Sequence, residues 1–317
     1  RDAFSRIGDD NTAVLGPAKD GGFYLIGLAR QCRDPFRFEE WGSAVVFSRT
    51  RQALAACGFR IATVAVRSDI DLSEDLPLLR TDPLMGKSLS VIVPTLAGPE
   101  KLSSFLESLR DRLWPGDEIV LVEAGTSPNL SLRRLSKVVL HARAPRGRGI
   151  QQNIGAMIAK GDLLFFLHDD TVPPPEFPYL IRRACRQGAS ALGCFRLAFH
   201  PSNRLLELVA AWANLRSFLF KLPYGDQGFF CGRELFERVG GFRHKYLMED
   251  VDFVKQCRRI GRLNMLDARV LSSSVRYLNK GILNASLQNH AIMILYLLGV
   301  CEKELYTIYY RSKSRPL

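Results

Sequence analysis

From residue 88 onward, apolar and polar positions follow a regular rhythm. SLSVIVPTL, DEIVLVEAG, KVVLHAR, DLLFFLHDD and ASALGCFRLAF are strand-length apolar runs. PEKLSSFLESLRDRL, IQQNIGAMIAKG and PPEFPYLIRRACRQG, set among them, repeat apolar residues at helical spacing. Uninterrupted apolar strands alternating with helices predict a sheet covered on both faces. In such sheets ligands gather at the carboxyl ends of the strands. Pro94-Thr95, Glu123 and Asp169-Asp170 all fall at those ends, so three strands are expected to turn polar groups toward one crevice.

Upstream, TAVLGPAKDGGFYLIGL predicts a strand, a glycine turn and a second strand. FSRTRQALAACGF predicts a helix and RIATVAV a third strand. This is a short α/β piece with little core of its own. Pro83 and Gly86 mark residues 81–88 as a linker, giving a fragment over 1–80 and a larger domain over 89–317. Two further segments are strongly apolar. NRLLELVAAWANLRSFLFK is apolar nearly all round and is expected in a core. ILNASLQNHAIMILYLLGVC has about bilayer length but is interrupted by Asn284, Gln288, Asn289 and His290, which predicts a packed or interface-lying helix.

Composition narrows the partners. The chain has 317 residues, 47% hydrophobic and 24% charged, with a net charge of +12. A basic surplus draws nucleic acid, anionic lipid or phosphorylated small molecules. No zinc-finger or RNA-recognition motif accompanies it, so nucleic acid is not expected. Seven cysteines without a CxxC pair suit reduced thiols in the cytoplasm. Five histidines without ligand spacing do not suit a structural zinc site. The polar N-terminal stretch does not read as a signal peptide.

Four motifs offer chemistry. Asp169 and Asp170 end an apolar strand; they suit either a helix N-cap region or a divalent cation, since Mg²⁺ and Mn²⁺ take one or two carboxylates plus substrate phosphates. RGRGIQQNIGA opens a helix after a strand, where Arg146 and Arg148 can reach phosphate oxygens; its plainer reading is a solvated basic turn. YGDQGFF sets Asp226 and Gln227 before an apolar strand, as a turn closure or an acceptor-binding edge. KYLMEDVDF puts Glu249 and Asp250 at a helix N-terminus, where the dipole favours acids by ~0.3–1 kcal/mol. The apolar approach of Leu247 and Met248 also suits a carboxylate with a raised pKa, a better base.

SVIVPTL, EIVLVEAGT, RGRGIQQNIGA, FLHDDT, GDQGFF and MEDVDF stand in the order seen in family 2 glycosyltransferases, which the chain resembles from about Ser88 onward. The nearest likeness is to a bacterial subgroup of arsenosugar biosynthesis. The resemblance implies a GT-A type, Rossmann-like mixed α/β sheet flanked by helices, with the small N-terminal α/β fragment before it. It implies a metal-dependent inverting enzyme that moves a sugar from a nucleoside-diphosphate sugar to a hydroxyl acceptor, with Mn²⁺ or Mg²⁺. Pro94, Thr95, Glu123, Arg146, Arg148, Asn153 and Asp169 would hold the nucleotide-sugar, and Asp170 with Asp169 the metal. Asp226 and Gln227 would bind the acceptor, and Asp250 would be the base beside Glu249. The family usually has Asp where Glu123 and Pro128 stand. The first eighty residues resemble the C-terminal half of a related GT-A-like, nucleotidyltransferase-like family and are expected to be inactive. Two rival readings are a nucleotidyltransferase releasing pyrophosphate and a non-catalytic nucleotide-sugar-binding scaffold. The expected location is the cytoplasm, with peripheral contact at the inner membrane face through the C-terminal helices.

Overall fold

The computed structural model describes residues 10–32, 36–39, 41–66, 86–125, 131–186 and 191–311. Pro128, the segment 67–80 and the part of the expected linker up to residue 85 lie outside them. The chain divides into two compact units, Arg1–Gly86 and Lys87–Leu317.

In the first unit, β1 (Thr12–Pro17) pairs antiparallel with β2 (Phe23–Leu28) and parallel with β3 (Arg60–Thr63). Helix α1 (Val46–Ala56) contributes Leu54 to a small core with Ala13, Leu15 and Phe59.

The second unit is built on a nine-stranded mixed sheet. Its strands are β4 (Leu89–Thr95), β5 (Glu118–Gly125), β6 (Ser131–Arg134), β7 (Val139–Pro145), β8 (Leu163–Phe166), β9 (Thr171–Val172), β10 (Leu192–His200), β11 (Phe229–Gly232) and β12 (Leu263–Ser273). They lie in the order β6-β7-β5-β4-β8-β11-β10-β12-β9. β7, β5, β4 and β8 are parallel, and β11 enters antiparallel between β8 and β10. The helix cover on both faces is what the apolar runs predict, and the mixed sheet is what the family resemblance implies.

Successive residues of a strand face opposite sides, and both sides are dry here. Val91, Val93, Ile119 and Leu121 pack with Leu106 and Leu109 of α2 (Ser103–Arg110) and with Phe177 and Ile181 of α4 (Phe177–Arg186). Ile92, Val120 and Val122 pack on the other side with Ala156 of α3 (Arg148–Ile158) and Phe253 of α7 (Glu249–Ile260). Phe253 stacks on Phe242 with ring centroids 4.2 Å apart and meets Phe166 edge-on. This aromatic contact seats α7 against β8 and so sets where its first turn lies.

The remaining helices are α5 (Arg204–Phe220), α6 (Arg233–Val239), α8 (Val275–Lys280), α9 (Ile282–Leu297) and α10 (Glu302–Arg311). Helix α5 corrects the expectation of a core segment. It buries Leu206, Ala210 and Ser217 and leaves Leu208, Phe218, Leu219 and Phe220 exposed, because β10 receives only one stripe of it. Strand β12, with its polar Asn264, Asp267 and Arg269, has no clean two-residue alternation and was not legible as a strand.

Candidate active site

A cavity of about 270 Å³ opens where four segments converge. The chain leaving β8 supplies His168 and Asp170, and the turn before β11 supplies Tyr224 and Asp226. The start of α7 supplies Glu249 and Asp250, and the start of α3 supplies Arg148. The far wall comes from β12, α8, α9 and α10, through Ser272, Tyr277, Asn289 and Tyr309.

The acid pair is aimed by backbone geometry. Met248, the residue before α7, is left-handed at φ 66°, ψ 24°, a region costly for side-chain-bearing residues. Helix α7 therefore begins abruptly, with Glu249 and Asp250 in its first turn. Asp250 accepts from the N–H of Gly225 at 2.9 Å and from that of Val251 at 2.7 Å. Two backbone donors from two segments fix its carboxylate. Glu249 is buried, with Arg148 3.8 Å away. Burial and the neighbouring Asp250 charge push Glu249 up to about 7, with Arg148 opposing.

Across the cavity, burial pushes Asp226 up to about 6, again against an arginine, Arg216. Its Oδ1 is buried without a protein partner. Arg216 lies over the Tyr224 ring at 3.6 Å. His168 also has a buried, unpartnered Nε2, and burial followed by the Arg148 charge holds its pKa well below 6.5. The imidazole is thus neutral. Buried polar atoms are normally paired, so these two atoms mark where a polar ligand would be satisfied.

Of the residues singled out in the sequence, Arg148, Asp170, Asp226, Glu249 and Asp250 share this cavity. Leu247, Met248 and Asn289 also line it, whereas the other expected site residues do not. Gln227 turns inward: it is 0% exposed, accepts from Ser217 Oγ at 2.6 Å and donates to Phe195 O at 3.0 Å. It braces the turn from within. Asn153 closes a two-bond clamp on the backbone of Phe242, at 2.7 and 2.8 Å. Glu123 is held by His141 at 2.9 Å and Arg143 at 3.2 Å, and Arg146 is exposed. Pro94 and Thr95 are buried at the end of β4.

The two adjacent aspartates have separate fates. Thr95 Oγ1 donates to Asp169 Oδ2 at 2.6 Å, tying it to the β4 end, whereas Asp170 is exposed to the cleft. Partial enclosure and then the Asp169 charge raise the Asp170 pKa. No group of three or more His, Cys, Asp or Glu set to hold a metal occurs among the described residues. An oxygen-seeking cation that completes its shell with substrate phosphates needs only one or two carboxylates. Asp170, raised in pKa beside a second aspartate, fits that kind of site.

Sequence reading missed Tyr277, Asn289 and Tyr309. Asn289 accepts from Arg276 at 2.7 Å and donates to the Tyr277 hydroxyl at 3.1 Å. Its signal was present: Asn289 is one of the polar residues that break the apolar run of α9.

Residues 90–243 match the family model described as "Glycosyl transferase family 2". Residues 1–43 match one described as "Uncharacterized protein conserved in bacteria (DUF2064)". No curated protein matches the chain. Among solved structures, the chain is similar to the crystal structure of S. aureus TarS 1-349, at 16% identity and a TM-score of 0.45, over 72% of this chain and 73% of that one. Over residues 90–243, just under half of its length, the chain is thus similar to family 2 glycosyltransferases.

Proposed function

We propose that the enzyme transfers a sugar from a nucleoside-diphosphate sugar to a hydroxyl acceptor by direct displacement, with inversion at the anomeric carbon. The observation that carries this reading is the meeting of Arg148, Asp170, Asp226, Glu249 and Asp250 in one cavity, although they lie as far as 102 positions apart along the chain. Two kinds of carboxylate work are needed, and two settings are present. Asp170 faces the open cleft beside Asp169, where Mn²⁺ or Mg²⁺ bound with the diphosphate would supply charge neutralisation of the leaving group. Asp250 is positioned by two backbone N–H groups and accepts the proton of the attacking hydroxyl. Glu249 answers Arg148, which stays near the cavity as a phosphate-facing cation. Asp226 and His168 offer their unpartnered atoms to acceptor or sugar hydroxyls.

The nucleotide lies along the ends of β4 and β5 in this reading. There Gln151 donates to Thr95 O at 2.8 Å and to Val122 O at 2.7 Å, bracing the two strand ends at one spacing. The smaller unit takes no part in the chemistry. The likeness to the arsenosugar subgroup guides the choice of acceptors to try.

The test is a panel of nucleotide-sugars screened by thermal shift with Mn²⁺, since a bound ligand raises the melting point by mass action. One donor is expected to raise it in the wild type and not in Asp170→Ala. Its turnover in the presence of acceptor should give a product of inverted anomeric configuration by NMR. Pyrophosphate release from a nucleoside triphosphate, with no response to any nucleotide-sugar, would replace this reading with nucleotidyl transfer.

A further inference from the structure

Away from the cavity, two helices turn apolar side chains to the outside. On α5, Leu205, Leu208, Trp212, Leu215 and Leu219 recur every three or four residues and are 47% to 66% exposed. On α9, Leu283, Leu287, Ile294 and Leu297 are 56% to 68% exposed. The indole N–H of Trp212 donates to Nε2 of His290 at 2.6 Å, so the two stripes adjoin. Isolated exposed leucines need no explanation, but a continuous apolar face marks an interaction surface.

The charges around this face identify its partner. Helix α9 contains no Asp, Glu, Lys or Arg. Across residues 203–221 and 275–298 the basic residues are Arg204, Arg216, Lys221, Arg276 and Lys280, against the single acid Glu207; Arg216 turns inward onto the Tyr224 ring and is not part of the outer rim. Arg276 and Lys280 bond the side chains of Asn289 and Gln288 on α9. Arg258 donates to the carbonyl of Phe220 at the end of α5. The apolar stripes are therefore rimmed with positive charge.

We propose that this face docks on a lipid bilayer with anionic headgroups, with α5 and α9 lying in the plane of the interface. A bilayer satisfies both features at once, taking the leucines into its acyl boundary and pairing its phosphates with the rim. A second copy of the chain would bring the same positive rim against itself. No helix among the described residues is long and apolar enough to cross a membrane, so the attachment is peripheral. The proposal stands on this surface and does not depend on the reaction assigned to the cavity.

The test is flotation of the full chain with phosphatidylcholine vesicles, with and without phosphatidylglycerol. The protein should float with the anionic vesicles and detach as salt is raised. Leu208→Glu with Leu287→Glu should lower partition about tenfold or more, while leaving donor hydrolysis in detergent-free buffer unchanged. In a Trp41→Phe, Trp114→Phe background, Trp212 fluorescence should be quenched by brominated acyl chains; this reads the same face without a charge substitution. Failure to float with anionic vesicles, or an unquenched Trp212, overturns the proposal. So does a dimer in light scattering that the double variant disperses while the wild type ignores lipid.

Discussion

The backbone N–H of Gly225 donates to Oδ2 of Asp250 at 2.9 Å, tying the turn that carries Asp226 to the first turn of α7. The approach leaves little room for a side chain at position 225. A Cβ at position 225 would lie 3.1 Å from His168 Nε2 and 3.5 Å from Asp250 Cβ. Gly225→Ala should therefore crowd His168 and shift the turn that holds Asp250 by a few tenths of an ångström. We expect turnover to fall by about tenfold or more, since small misplacements of reacting groups are costly, with little change in melting temperature. Full activity in this variant would mean that the contact does not position Asp250.

Asp250→Asn keeps the shape of the side chain and removes its capacity to accept a proton. Donor binding by calorimetry should be retained, and turnover should drop by about two orders of magnitude or more. If Glu249→Gln showed that loss and Asp250→Asn did not, the roles of the pair would be exchanged.

Glu249 links stability to pH. Its folded-state pKa, about 7, lies above the ordinary value of 4.5. Between those values the folded chain holds a proton that the unfolded chain has released, so this group lowers stability as pH rises through the window. The penalty is complete above about 7 and absent below 4.5. Glu249→Gln should then melt higher than the wild type at pH 8, by a few degrees on the scale of about 1 kcal/mol, and the gap should close toward pH 4. A gap independent of pH, measured with a chelator present, would remove the titration from the explanation.

Asp117 and Arg182 form a buried ion pair that does not line the cavity. Asp117 also accepts from the N–H groups of Leu89 and Trp114, at 2.9 and 3.0 Å, and Arg182 donates to Lys87 O at 2.9 Å. The pair thus joins the starts of β4 and β5 to α4. Arg182→Ala leaves a buried carboxylate uncompensated and should cost about 3–5 kcal/mol in urea unfolding. The double change Asp117→Asn, Arg182→Met should cost clearly less than the single one, because no charge is stranded.

Much of the fold was legible because buried strands and amphipathic helices announce themselves in short windows. The runs SVIV, IVLV and LLFF can hardly be anything but strands covered on both faces. Their ends likewise announced Asp169-Asp170, and the helix dipole made sense of Glu249-Asp250. Strand β12 and the far wall of the cavity were hidden, since their roles come from neighbours distant in sequence. Asn289 read as a blemish in an apolar helix until Arg276 and Tyr277 were placed beside it.

Sequence alone determined the central strands and the helices between them, and which of those strand ends carry acids, because periodicity and side-chain sterics act over a few residues. Tertiary structure decided what each polar group does. It gave Asp169 to Thr95 and left Asp170 open, turned Gln227 and Asn153 into braces, and brought Asp226 against the α7 acids. It also turned the stripe of α5 outward. The physical reason is the same in each case: a polar or apolar side chain takes its role from the partner it meets, and that partner is chosen when segments dozens of residues apart pack together.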